Sequence, residues 1–212
     1  MRTSGGHEPA LPTARERILA AAFEAFTTKG YDRTSTLDIA RRAKISKRDL
    51  YANFGSKHAM LVACITNRAE RMRLPPDLPS PRDRRQLAVT LATFGGNLVR
   101  EVSRPPVIAA FRLAIAEASR SPEIAQAVEA VGRGSVRERL VRLLASAQSG
   151  GLLGPGDPME LAEQYLGLLW EGLLVGLLMG IAQAPAPAGA ELRAEKATTA
   201  FMRLHPTSTR SD

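Results

Sequence analysis

Two serines, Ser35 and Ser46, each open a short run with helical apolar spacing, and only the turn "KIS", Lys44 to Ser46, separates the runs. Ser35 is the expected cap of a helix from about Thr36 to Ala43, and Ser46 that of a second helix running to Phe54. Asp49, three residues after Ser46, completes a capping-box pattern. Two short helices joined by a tight turn suggest a helix-turn-helix unit. Leu37, Ile39, Ala40, Ala43, Ile45, Leu50 and Phe54 are the apolar positions expected to hold that unit against a preceding helix.

The remaining residues of the second run then face outward, and their types suit DNA. Lys47 and Arg48 fall on its first turn, where exposed amides and the helix dipole attract phosphate. Arg48 has the fork to bond guanine bidentately, and Lys47 the reach for guanine or a phosphate. Tyr51, four residues past Lys47, lies on the same face with its hydroxyl available to a phosphate. Ser56 and Lys57 start the next helix, so a second helix N-terminus and a lysine join the first. Each has a plainer reading: Tyr51 half-buried with a solvated hydroxyl, Asp49 only a cap, Lys57 an ordinary surface lysine. Charge supports the set. Residues 1–60 hold 11 Lys and Arg against 6 Asp and Glu, most of the formal net charge of +8, and a basic segment suggests a polyanion partner.

The rest of the chain reads as helices punctuated by proline and glycine, with no competing strand signal, and the fold class is all-α. The first helix starts at "TARE", with Thr13 and Glu16 as a capping box, an apolar face of Ile18, Leu19, Ala22, Phe23 and Phe26, and Gly30 as its stop. A longer helix runs from Ser56 toward Met72. "LPPDLPSPR", residues 74–82, puts four prolines in nine residues and is the clearest boundary. Helices are expected near 83–103, 106–119 and 122–149, the last capped by Ser121 and kinked or split at Gly132 and Gly134. Another begins at "DPME" with Asp157 as cap, and a last one spans 191–204 after the proline-rich "APAPAGA". The resulting division is a flexible arm 1–12, a domain 13–73, a linker 74–82, a helical domain 83–204 and a tail 205–212.

The stretch "TSTLDIARRAKISKRDLYANFGSKHAML" resembles the DNA-binding domain of the TetR/AcrR family of bacterial regulators. The shared elements are Ile39-Ala40, Ser46-Lys47, Leu50-Tyr51 and Phe54-Gly55-Ser56-Lys57, with the lead-in "GYDRTS", and the likeness spans roughly residues 13–65. The resemblance implies a three-helix helix-turn-helix domain followed by a C-terminal helical bundle for dimerisation and ligand binding. It also implies double-stranded operator DNA as partner, through Ser35, Thr36, Ser46, Lys47, Arg48, Tyr51, Asn53, Ser56 and Lys57. Two departures stand out: Lys44 occupies a turn position that is commonly glycine, and Asn53 one that is frequently aromatic or histidine. A shorter segment, "FRLAIAEASRSPEIAQAV", looks like the C-terminal domain of an AcrR-like branch.

The segment "LGLLWEGLLVGLLMGI", 166–181, is apolar around nearly its whole circumference, which calls for burial on more than one side. At 16 residues with an internal glutamate it falls short of a membrane span, which needs about 20. Gly172, Gly176 and Gly180 recur every four residues as a smooth strip, so one face is read as core and the other, with Leu177, as a homodimer contact. Phe94, Phe111, Tyr165 and Trp170 are candidate walls of a pocket for a small hydrophobic effector, against the plainer reading of core.

Other chemistries find no support. Three scattered histidines and the single Cys64 cannot build a metal cluster, so no metal, cofactor or catalytic group is expected. "GRGSV" lacks the third glycine and preceding strand of a nucleotide site, and "GGLLGPG" lacks GK[ST]. No secretory signal is expected, and a cytoplasmic regulator is. The expected function is a homodimeric repressor released from a palindromic operator by a small hydrophobic ligand. The alternative is an architectural DNA binder without ligand control.

Overall fold

The computed structural model describes residues 12–70, 78–120 and 129–207, with Pro122, Ile124 and Gln126 between the last two stretches. Every element in them is helical. The expected arm 1–12 lies outside the described residues except for Pro12, as do Ser121, residues 71–73 at the end of the expected first domain, residues 74–77 at the head of the expected linker, and 208–212 of the tail. By backbone proximity the chain forms two compact units, Met1–Cys64 and Ile65–Asp212.

In the first unit, α1 (Ala14–Lys29) starts on a reciprocal cap: the Glu16 amide donates to the Thr13 hydroxyl at 3.2 Å, and the Thr13 amide donates to the Glu16 carboxylate at 2.9 Å. Helices α2 (Thr36–Ala43) and α3 (Lys47–Phe54) follow, each with its serine accepting the amide three residues on, at 3.1 Å. Helix α4 (Lys57–Glu70) begins after Ser56 and continues past the division between the units. Ile18, Leu19, Phe23 and Phe26 of α1, Ile39, Ala40 and Ala43 of α2, Leu50 of α3, and Met60, Leu61 and Cys64 of α4 are buried.

Leu37 departs from expectation: it is 46% exposed and lies off the buried face of its helix. The buried stripe of α2 runs through Ile39, Ala40 and Ala43, and Leu37 lies two residues, about 200°, around the helix from Ile39. Between α2 and α3, Lys44 takes a left-handed conformation (φ 54°, ψ 51°) and donates its amide to the Arg41 carbonyl at 3.2 Å. A glycine would hold that geometry without the Cβ penalty.

The second unit is built from α5 (Arg84–Val102), α6 (Pro105–Glu117), a π-helical turn (Glu129–Gly134), α7 (Ser135–Ser149), α8 (Pro158–Trp170), α9 (Leu173–Met179) and α10 (Pro187–Leu204). Helix α5 lies along α10, and α8 packs against both α7 and α10. Leu87, Leu91, Phe94 and Leu98 of α5 meet Leu140 and Leu144 of α7, Tyr165 and Leu169 of α8, and Phe201 of α10 in one core. Arg84 ties the end of α10 down, donating to the carbonyls of Leu152 (2.7 Å), His205 (2.8 Å) and Met202.

The segment 166–181 is not the single helix its apolarity implied. It breaks at Glu171 (φ 33°) and Gly172 (φ 80°), and α8 and α9 meet at a bend of 56°. The break is held from outside the segment. Arg193 of α10 donates to the carbonyls of Leu169 and Trp170 at 3.1 and 3.2 Å, so the end of α8 finds its partners without continuing the helix. Arg112 of α6 does the same at the end of α9, donating to Leu177 and Leu178 at 2.8 and 2.9 Å. No single helix among the described residues is long and apolar enough to cross a membrane. The last helix begins at Pro187, four residues before its expected start, with proline at its first position.

Candidate nucleic-acid interface and regulatory cavity

The start of α3 is shaped by its cap. The Ser46 hydroxyl accepts the Asp49 amide and donates to the Asp49 carboxylate at 2.7 Å, which keeps that carboxylate on the serine. Lys47 and Arg48 are exposed on the first turn. The Lys47 ammonium stands 5.8 Å from the centre of the Tyr51 ring, and the Tyr51 hydroxyl lies 3.3 Å from that of Thr36. Thr36, Lys47 and Tyr51 therefore form one connected polar surface at the junction of α2 and α3. Tyr51 is 40% exposed, so it is half-buried as its plainer reading has it, with its hydroxyl beside that of Thr36.

The other expected contacts are arranged differently. Asn53 turns its amide back to the Asp49 carbonyl at 2.8 Å. Ser35 and Ser56 cap their helices, Ser56 accepting the Ala59 amide at 3.0 Å. The Lys57 ammonium sits 4.3 Å over the Tyr31 ring and donates to the Asp32 carbonyl at 3.4 Å, so the lysine is braced against the "GYDRTS" lead-in. Arg15 was missed by sequence reasoning: its guanidinium lies 4.6 Å over Phe54, at the opposite end of α3 from Lys47. A cation-π contact between residues so far apart in the chain leaves no local signature. Lys29 pairs with Asp38 at 3.1 Å, and that hydrogen bond and charge hold the Asp38 carboxyl below its ordinary range.

The second unit holds a half-open pocket of about 490 Å³. Phe111 and Trp170 line it, together with aliphatic residues of α5, α7, α8 and α9. Phe94 and Tyr165, the other two expected walls, do not. Both are buried in the core, where Tyr165 stands edge-on to Phe201 at 5.6 Å and donates its hydroxyl to the Leu91 carbonyl at 2.6 Å. Burial pushes the Tyr165 phenol up to about 12. Among the described residues, the charged members of the lining are Arg137 and Glu163, paired at 3.2 Å, and Arg137 also pairs with Glu129 at 3.0 Å. The Glu163 hydrogen bond, reinforced by Glu129, holds the Arg137 guanidinium above its ordinary range. Nothing local in the sequence linked these residues.

The glycines read as a dimer strip have other roles. Gly172 and Gly180 (φ 77°) are the left-handed ends of α9. Gly176 is buried, and a Cβ there would stand 2.8 Å from the Ala182 Cβ of the same chain. Leu177 is buried as well. The large apolar side chains exposed on this unit include Val175, Met179 and Ile181 at and beyond α9, Leu192 and Leu204 on α10, and Val89, Ile115 and Met159 elsewhere. Leu192 lines a surface groove of about 440 Å³ with Leu168, Ala197 and Ala200. Among the described residues no group of His, Cys, Asp or Glu is arranged to hold a metal ion.

Residues 18–64 match the sequence profile of bacterial regulatory proteins of the tetR family, and residues 89–205 that of the C-terminal domain of AefR-like transcriptional repressors. The structure is similar to a TetR transcriptional regulator from Agrobacterium tumefaciens (29% identity, 92% of this chain and 95% of that one, TM-score 0.80). It is also similar to the flavonoid-responsive regulator FrrA (26% identity, 92% of this chain and 98% of that one, TM-score 0.77). In sequence, the uncharacterized HTH-type transcriptional regulator YuxN of Bacillus subtilis is 34% identical over 79 residues, which cover 34% of this chain and 27% of YuxN.

Proposed function

This chain belongs to the TetR family of bacterial transcriptional regulators, and from that premise we propose that it is a homodimeric repressor that leaves a palindromic operator when a small apolar molecule occupies its cavity. The observation that carries the DNA reading is the first turn of α3, where Lys47 and Arg48 are exposed beside a half-open Tyr51 whose hydroxyl neighbours Thr36. Arg48 reads a guanine in the major groove. Lys47, Tyr51, Lys57 and the helix starts at Ser35, Ser46 and Ser56 hold phosphates on either side of it.

A two-fold dimer presents two such helices to half-sites about one helical turn of DNA apart. The groove lined by the exposed Leu192 of α10 and the partly buried Leu168 of α8 supports those helices as the contact between protomers. Release follows if the effector binds the DNA-free form more tightly, by the ratio of its two affinities. The likeness to a flavonoid-responsive regulator and a cavity within the roughly 300–1,000 Å³ of small-molecule sites support that part.

Footprinting across the native genome, followed by titration of the recovered site at several salt concentrations, tests the reading. The expected result is a discrete palindrome. Arg48→Ala is expected to lose about 1–3 kcal/mol at a single base position. Lys57→Ala is expected to weaken all sequences alike and lower the salt slope by about one. Uniform coverage of DNA, or purified protein that binds no duplex at low salt, would refute it.

A further inference from the structure

The eight residues of α3, Lys47–Phe54, divide by angle around the helix. Leu50 is fully buried and marks the inward direction. At about 100° per residue, Arg48 and Ala52 each lie about 160° from it, on either side of the point that faces straight out. Both are exposed.

The flanks of the helix are engaged elsewhere. On one, Tyr51 lies about 100° from Leu50. Its hydroxyl is 3.3 Å from that of Thr36, and the Lys47 ammonium is 5.8 Å from its ring centre. On the other flank, the Asp49 carboxylate accepts the Ser46 hydroxyl at 2.7 Å, and Asn53 donates its side-chain amide to the Asp49 carbonyl at 2.8 Å. The outermost line of α3 is therefore one arginine and one methyl group.

That methyl restricts the base it can face. Every base edge in the major groove carries hydrogen-bonding groups, and covering one with a group that cannot pair costs free energy. Thymine adds an apolar group to its edge, the C5-methyl, and so offers alanine a partner. Alanine is also short, so the helix backbone at position 52 can come close to the bases while the longer Arg48 reaches its own.

We propose, resting on the DNA reading of α3, that Ala52 is a specificity-determining residue whose methyl packs on the C5-methyl of a thymine near the guanine bonded by Arg48. Asn53, on the flank, takes no part in base readout. Residues 48 and 52 are about 6 Å apart along the helix, against about 3.4 Å per base step, so the thymine lies within about two steps of the guanine.

Selection from random duplexes with the full-length protein recovers the preferred site, and Arg48→Ala identifies the guanine, as the position where it loses discrimination. Each thymine is then replaced in turn by deoxyuridine, which lacks only the C5-methyl. One thymine near that guanine is expected to lose about fourfold in affinity, the ratio that burying one methyl group gives. In Ala52→Gly, and in Ala52→Ser, which disturbs the helix less, the preference for thymine over deoxyuridine there is expected to vanish. The ratio is taken within each variant, so a loss of helix stability cancels. Asn53→Ala is expected to keep the preference of the unaltered protein.

Equal affinity for thymine and deoxyuridine at every position overturns the methyl contact and leaves the DNA reading standing. The same loss persisting in both Ala52 variants overturns the assignment to Ala52 and turns attention to Leu37, exposed on α2. Selection that enriches no sequence overturns the DNA reading and the proposal together.

Discussion

At Tyr165 a phenol is buried in the core with its hydroxyl donated to the Leu91 carbonyl, and the burial raises its pKa from the ordinary 10.0 to about 12. Because the folded value lies above the unfolded one, the contribution to stability is complete below pH 10 and is lost as the pH climbs toward 12. Tyr165→Phe should therefore cost about 1 kcal/mol at neutral pH, through the lost hydrogen bond, and should fall less steeply than the parent above pH 10. Denaturant titrations of both proteins at neutral pH and near the alkaline limit measure the difference, and parallel curves would remove the phenol from the account. The same residue marks a limit of sequence reading. Phe94, Phe111, Tyr165 and Trp170 are all aromatics at helical positions, and only the side on which a neighbouring helix arrives separates the core pair from the cavity pair. Lys47, Arg48 and Tyr51 were more legible because three-residue caps and four-residue spacings fix their exposure within one short helix.

Helices whose boundaries are set by their own residues were readable for the same reason. Thr13, Ser35, Ser46 and Asp157 each cap through a side chain that accepts an amide two or three residues on, so the information is local. The bend between α8 and α9 is different. Glu171 and Gly172 adopt left-handed conformations that an uninterrupted apolar run does not announce, and the carbonyls they free are claimed by an arginine on α10. Arg193→Leu should leave two carbonyls at the end of α8 without that donor and lower stability by about 1–2 kcal/mol, seen as a shifted urea midpoint. An unmoved midpoint would mean that the backbone at Glu171 and Gly172 holds the bend unaided. The expected dimer strip has a related origin: Gly172 and Gly180 are the left-handed ends of a helix of seven residues, and Gly176 between them is packed against Ala182 of the same chain.

For the molecule as a whole, the proposed dimer rests on the outward faces of α8 and α10. Leu192→Glu places a charge in the groove that Leu192 shares with Leu168, Ala197 and Ala200, and is expected to yield monomers in sedimentation analysis with the helical content unchanged. A dimer that survives it would move the contact elsewhere. The excess of basic residues in the first 60 includes one at an unexpected place, Lys44, in the left-handed turn between α2 and α3. A glycine would suit that backbone better by about 1 kcal/mol, and would also delete a cation beside the surface proposed to meet DNA. The turn is thus a point where folding and operator affinity make opposite demands. Selection for heat resistance alone would drive position 44 toward glycine, and selection for grip at cellular ionic strength would keep the lysine.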